Sequence, residues 1–233
     1  MSDGRVAVLF DLDGTLVDSI DLLVASMEYA FEGRERRPPL AEWLALIGTP
    51  LDAMLARWAE GPADVERLRA RYREHQLAKH DEMLKLYPGM VETVRALHDA
   101  GHPLAVVTSK LEVGARRALK FARIEECFTA VVGIDHTVKH KPDPEPVWHA
   151  LQQLSMPRER ALFVGDSTHD MHAGRAAGVY TVAVLWGPYT REQLAPTAPD
   201  VYIEEFEALL PVVQQVATRR SGSQHGDARP SPA

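Results

Sequence analysis

Five short apolar runs punctuate the chain: Val6 to Phe10, Pro103 to Thr108, Ala130 to Gly133, Ala161 to Gly165 and Thr181 to Trp186. Each is nearly continuous rather than alternating, the pattern of a strand covered on both faces in a parallel sheet. Helix-like stretches separate them, and the alternation predicts an α/β fold with a doubly wound parallel sheet. Between roughly Asp18 and Leu86 the alternation stops: no strand-like run occurs, and the text reads as successive helices. The longest is predicted over Pro62 to Leu86, with Pro in its first turn and Val65, Leu68, Tyr72 and Leu77 at helical spacing among solvated Arg and Glu. Tyr87-Pro88-Gly89 marks the return, and an amphipathic helix follows from Val91 to Ala100. The predicted organisation is an α/β core over 1–17 and 87–218, an inserted α-helical cap over 18–86, and a tail over 219–233. That tail has no apolar period and is expected to be disordered.

Composition narrows the function classes. An apolar share of 45% and a charged share of 25% over 233 residues belong to an ordinary globular chain. The net charge of -7 leaves no electrostatic footprint for nucleic acid or an anionic membrane surface, which favours a small-molecule partner. The single cysteine, Cys127, excludes an intramolecular disulfide and points to a reducing compartment. The first apolar run is too short for a signal sequence or a membrane span, so a cytoplasmic location is expected. Oligomeric state leaves no mark in the sequence.

Candidate chemistry sits where the predicted strands end. The first runs into Phe10-Asp11-Leu12-Asp13-Gly14, placing two carboxylates at the carboxyl edge of a sheet, where open α/β folds bind ligands. Gly14 permits a tight backbone path near an anion, although Asp-x-Asp-Gly alone also serves as a simple turn. The second ends in Thr108-Ser109-Lys110, whose hydroxyls suit a phosphate oxygen or a turn. Lys141 precedes a helix capped by Asp143 and opened by Pro144; in isolation it is a solvated lysine, but a site of several carboxylates needs a fixed cation to accept an anionic substrate. Asp166 and Asp170 lie four apart at the next strand end. Hard oxygen ligands of this kind suit Mg²⁺, with Asp170 equally placed to cap the helix. Asp18 is expected to cap the first helix of the insert. The pairs His169 with His172 and His136 with His140 lack further ligands at zinc-like spacing. Trp43 and Trp58 are expected to pack a core, and Ile47-Gly48-Thr49-Pro50 is the candidate specificity loop.

These four motifs, in this order around an inserted helical cap and followed by Leu185-Trp186-Gly187, resemble the haloacid dehalogenase superfamily and its phosphoglycolate-phosphatase-like branch. The resemblance implies that Asp11 attacks phosphorus and binds the metal, while Asp13 protonates the leaving group and then activates water. It further implies metal contacts from the Asp13 backbone carbonyl and the Asp166 carboxylate. Thr108, Ser109 and Lys141 would hold phosphoryl oxygens, with Asp170 and Gly14 in support. The implied activity is Mg²⁺-dependent hydrolysis of a small phosphorylated metabolite through an aspartyl-phosphate, phosphoglycolate being the first candidate and pyrophosphate, sugar phosphates and nucleotides further ones. Asp13 argues against a dehalogenase, which replaces that residue. A sugar phosphomutase shares every core residue and stays open, as does a phospho-accepting signalling or binding protein without turnover, although the helical insert is foreign to a receiver domain.

Overall fold

The computed structural model describes residues 4–219. In chain order it forms β1 (Ala7–Phe10), β2 (Val17–Asp18), α1 (Ile20–Ala30), α2 (Leu40–Leu44), α3 (Leu51–Leu55), α4 (Pro62–Met83) and β3 (Lys85–Leu86). It continues with α5 (Met90–Asp99), β4 (Leu104–Val107), α6 (Glu112–Phe121), β5 (Ala130–Val132), α7 (Glu145–Leu154) and β6 (Ala161–Gly165). The last elements are α8 (Thr168–Ala177), β7 (Tyr180–Val184), α9 (Arg191–Leu194), β8 (Val201–Ile203) and α10 (Leu209–Arg219). No helix among the described residues is long and apolar enough to cross a membrane.

Six strands pair in parallel in the order β5-β4-β1-β6-β7-β8. The chain winds outward from β1 through β4 and β5, then returns to build β6, β7 and β8 on the other side. Connections therefore diverge at β1, and a crevice opens at its carboxyl end. Side chains alternate between the two faces. Val8, Phe10, Leu104, Val106, Leu162 and Val164 pack with α5, α6 and α10 on one face, while Ala7, Leu9, Ala105, Val107 and Phe163 pack with α7 and α8 on the other. Both alternating sets are apolar because both faces are covered, and this is what made the strands read as unbroken runs.

α1 to α4 form a separate helical layer with its own core, in which Trp43 lies between Trp58 and Tyr72 at ring distances of 6.2 and 6.1 Å. The two tryptophans pack as expected. Asp64, buried in the first turn of α4, accepts hydrogen bonds from both terminal nitrogens of Arg34 and from the Glu60 amide. Those bonds hold its carboxyl well below the usual carboxylate range. The layer is joined to the sheet through an antiparallel ribbon in which Val17 pairs with Leu86 and Asp18 with Lys85.

Several expectations change here. The β2–β3 ribbon and the edge strand β8 were not anticipated. α4 ends at Met83, where Leu84 turns extended. Asp18 lies in β2; Ser19 occupies the N-cap of α1, and no side chain caps it. Pro144, not Asp143, is the N-cap of α7, although the Asp143 carboxylate accepts from the Glu145 amide at 3.0 Å. Leu77 is 59% exposed rather than packed. Arg219 ends α10, and the rest of the predicted tail lies outside the described residues.

Asp64→Asn is expected to destabilise the protein by about 2 kcal/mol at neutral pH, because a charge-assisted bond becomes a neutral one at a buried site. A carboxyl whose folded pKa is depressed contributes its stability above the unfolded pKa and loses it as pH falls. Urea unfolding should therefore show the gap between parent and variant closing below about pH 4.

Candidate active site

Every predicted site residue except Lys141 and Asp170 lies at or just past the carboxyl end of β1, β4 or β6. Asp11 follows β1 directly, its amide donating to the Val164 carbonyl of β6 at 2.9 Å. Thr108 follows β4, and its hydroxyl oxygen accepts from the Lys110 amide at 3.2 Å, which leaves its proton for an external acceptor. Asp166 follows β6, and Asp170 lies one turn into α8.

Lys141 joins these pieces. Its Nζ stands 2.9 Å from Asp11 and 2.7 Å from Asp170, and donates to the Val107 carbonyl at 3.2 Å. Asp170 takes the capping role expected as one alternative and also pairs with Lys141, which the sequence did not indicate. One carboxylate oxygen receives Lys141; the other accepts from the Ser167 hydroxyl and amide, closing a capping box on α8. Burial would lower the Lys141 ammonium, but Asp11 and Asp170 outweigh it and hold the pKa up, so the side chain stays charged.

The carboxylates outnumber this cation. Asp11, Asp166 and Asp170 are all buried and offer oxygens within 4.8 Å of one another. At an effective dielectric of roughly 20, like charges about 4 Å apart repel by about 4 kcal/mol per pair. Lys141 pairs with two of the three and leaves Asp166 with only the Thr15 hydroxyl, which donates to Oδ1 at 2.6 Å; its buried Oδ2 has no partner. Burial, then Asp170 and Asp11, push the Asp166 carboxyl well above its ordinary range. Burial and then Asp170 push Asp11 up to about 7 against the pull of Lys141. An orphaned oxygen in a cluster of hard anionic donors fits a divalent cation such as Mg²⁺. Gly14 presses against this cluster: it adopts φ +81°, and a Cβ there would lie 2.8 Å from Asp166 Oδ2.

Asp13 stands apart. Its Oδ1 accepts from the Ser19 hydroxyl at 2.6 Å and from Lys110 Nζ at 2.6 Å. Ser109 lines the cavity and donates its hydroxyl to the Gly48 carbonyl of the helical layer at 2.6 Å. Sequence reasoning missed Thr15, Ser19 and Lys110; the only signal was that each lies beside a motif already recognised. A second acidic group, Glu112 with Asp135 and His136, is more exposed. Its Glu112 is committed to Arg116 and His136, and Asp135 accepts from the Glu112 amide.

A cavity of about 630 Å³ lies between this site and the helical layer, lined by Asp11, Asp13, Thr108 and Lys110 below and by Trp43, Tyr72 and Arg73 above. That is the size of a small-molecule site. The candidate specificity loop, Ile47 to Pro50, forms part of its wall.

An acid cluster, a buried lysine and a cavity meet at the carboxyl edge of the parallel sheet, the ligand-binding edge of an α/β enzyme, and the class of that enzyme is a hydrolase. The chain belongs to the haloacid dehalogenase-like hydrolase family, whose model matches residues 8–184. It is 36% identical over 210 residues to a protein named pyrophosphatase PpaX from Halalkalibacterium halodurans, covering 88% of this chain and 95% of that one. To the pyrophosphatase PpaX of Listeria monocytogenes it is 34% identical over 217 residues, covering 92% and 99%. Among solved structures it resembles a predicted phosphoglycolate phosphatase from Haemophilus somnus, with a TM-score of 0.81, 25% identity and coverage of 91% and 99%. A hydrolase from Pseudomonas syringae shares the fold at a TM-score of 0.82 and 24% identity, covering 92% and 100%.

In metal-free protein, Asp166→Asn is expected to raise the thermal midpoint, because it removes an uncompensated buried charge. Mg²⁺ should stabilise the parent and leave the variant nearly unmoved. Thermal melts in EDTA and in Mg²⁺ check both halves. An unaltered Mg²⁺ response in the variant would exclude Asp166 as a ligand.

Proposed function

We propose that this protein is a Mg²⁺-dependent phosphatase acting on a small phosphorylated metabolite, with Asp11 as the nucleophile. The reading rests chiefly on the Asp11–Lys141 pair at 2.9 Å, whose Asp11 lines the cavity and belongs to the same acid cluster as the orphaned Asp166 oxygen. An ionised carboxylate is a weak nucleophile, so catalysis depends on positioning it and on cancelling charge around the transferred group. Lys141 does both: it fixes Asp11 and offers its ammonium to the phosphoryl oxygens, and the Thr108 hydroxyl proton offers a further donor. Asp11 and Asp166, with the Asp13 backbone carbonyl, would hold the metal. Bound there, Mg²⁺ supplies further positive charge against the phosphoryl oxygens.

In the first half-reaction an Asp11 oxygen bonds to phosphorus as the bond from phosphorus to the leaving oxygen breaks. Asp13 delivers a proton to that oxygen. Oδ1 of Asp13 is committed to Ser19 and Lys110, so Oδ2 is the atom that carries the proton. In the second half-reaction Asp13 takes a proton from water as the water oxygen attacks phosphorus, releasing phosphate and restoring the Asp11 carboxylate. The helical layer over 18–86 acts as the cap that excludes bulk water from these steps. Pyrophosphate and phosphoglycolate are the leading substrates, the first from the names of the curated relatives and the second from a structural relative and the sequence resemblance.

A screen of phosphorylated metabolites with and without Mg²⁺, reading phosphate release, tests this. Asp11→Asn should abolish turnover, and Asp13→Asn should lower kcat by about 10²- to 10⁴-fold, the usual share of general acid–base catalysis. Undiminished turnover in Asp11→Asn would overturn the mechanism. Isomerisation of a hexose phosphate with little phosphate release would identify a mutase instead.

A further inference from the structure

The wall that α4 contributes to the cavity carries a cation with no carboxylate partner among the described residues. Most basic side chains of this helix are committed: Arg67 to Asp64, Arg69 to Asp52, Arg71 to Glu32 and the Tyr29 carbonyl, and Lys79 to Glu82. Arg73 lines the cavity and, among the described residues, has no carboxylate partner. The acids of the cavity wall are themselves taken, Asp11 by Lys141, Asp13 by Lys110 and Ser19, and Asp52 by Arg69.

Other donors there also lack acceptors. Gln76, one turn on from Arg73, makes no side-chain hydrogen bond within the described residues and lines the same space. Trp43 is fully buried in the wall, and its Nε1–H has no acceptor. Arg73 is exposed and Gln76 half-buried at the cavity, so both donors stand open to whatever enters it, whereas a buried donor such as the Trp43 N–H is costly to leave unmatched. An oxygen-rich anion would satisfy several together.

Building on the phosphatase reading, we propose that Arg73 and Gln76 form a second anion subsite. It selects substrates that carry a further anionic group, a phosphate or a carboxylate, beyond the phosphoryl group that Asp11 attacks. The guanidinium presents a planar set of donors that matches either group in two-point fashion. The wall between the two ends is largely apolar, with Leu23, Ile47, Met54 and Leu111, and gives a hydroxyl-rich sugar little to bond. The substrate class is therefore compact and anionic at both ends.

The test compares kcat/KM for pyrophosphate, phosphoglycolate and glycerol phosphate in the parent, Arg73→Gln and Arg73→Lys. Relative to glycerol phosphate, kcat/KM for the doubly anionic substrates should fall about tenfold in Arg73→Gln, the worth of one charge-assisted bond, and recover in part in Arg73→Lys. A fall for pyrophosphate alone supports the subsite with a phosphate as its ligand, and a fall for phosphoglycolate alone supports it with a carboxylate. Equal losses on all three substrates, or none, would overturn it. Calorimetry on Asp11→Asn separates this inference from the phosphatase reading: adding Arg73→Gln should weaken pyrophosphate binding about tenfold, and an unchanged affinity rejects the subsite. If the parent turns over none of the three, the phosphatase reading falls while the calorimetry still decides for or against Arg73.

Discussion

Three carboxylates buried around one ammonium group govern the architecture of the catalytic face. Lys141 reaches from the loop before α7 to touch Asp11 after β1, the last carbonyl of β4 and Asp170 in α8. It thereby locks three separate connections to the central strand. A buried lysine without partners would lose its proton, and buried carboxylates without partners would regain theirs. Lys141 is kept charged by Asp11 and Asp170, while the carboxylates raise one another's pKa against its pull. Two-for-one pairing leaves Asp166 uncompensated, the deficit on which the proposed cation site rests. Close backbone approach is the geometric counterpart. Gly14 and Gly165 sit where a side chain would strike Asp166 and Asp170, so the turn can close over the cluster.

The two carboxylates of the first motif are separated by environment rather than by sequence. Asp11 is buried and drawn into the lysine–carboxylate cluster. Asp13 is partly exposed, and its Oδ1 is held by Ser19 from the start of the insert and by Lys110 from beyond β4. Two residues apart, they line the same cavity but receive different partners, because Asp11 lies at the buried strand end and Asp13 further out, within reach of Ser19 and Lys110. That divergence is what a pair with a nucleophile and a proton carrier needs. It also couples chemistry to the insert. Ser19 immediately precedes α1, and Ser109 bonds the Gly48 carbonyl, so movement of the helical layer would disturb both the Asp13 carboxylate and the cavity wall.

The sheet was legible because burial on both faces writes itself as unbroken apolar text, and the motifs because strand ends in such a sheet converge on one edge. What escaped were features without a run to announce them. β8 has three residues at a sheet edge, and β2 with β3 offers two residues apiece, too short for any period to register. Leu77 fits the helical spacing of its neighbours yet lies at the cavity, because spacing marks a face and not what covers it. The Lys110–Asp13 contact joins residues 97 positions apart, and nothing local distinguishes Lys110 from a solvated lysine. Asp170 read as either a metal ligand or a helix cap; its lysine partner, on the other oxygen of the same carboxylate, lies 29 positions away and had no local signal.

Within α4 the same logic separates stability from specificity along a single helix. Its first turn is saturated, since Asp64 takes Arg34, Arg67 and the Glu60 amide, and every one of those bonds lies within the insert. Two turns on, Tyr72 packs against Trp43, and burial together with the nearby Asp13 charge holds its hydroxyl pKa well above the ordinary phenol range. Arg73, the next residue, has no such company. A paired charge on a helix surface adds little beyond local order, but one beside a cavity whose acids have other partners, with no carboxylate of its own among the described residues, is open to a ligand that enters. The helix thus anchors the insert at one end and leaves charge for the ligand in its middle, so that substitutions at the cavity can change selectivity while the folding contacts of the first turn remain intact.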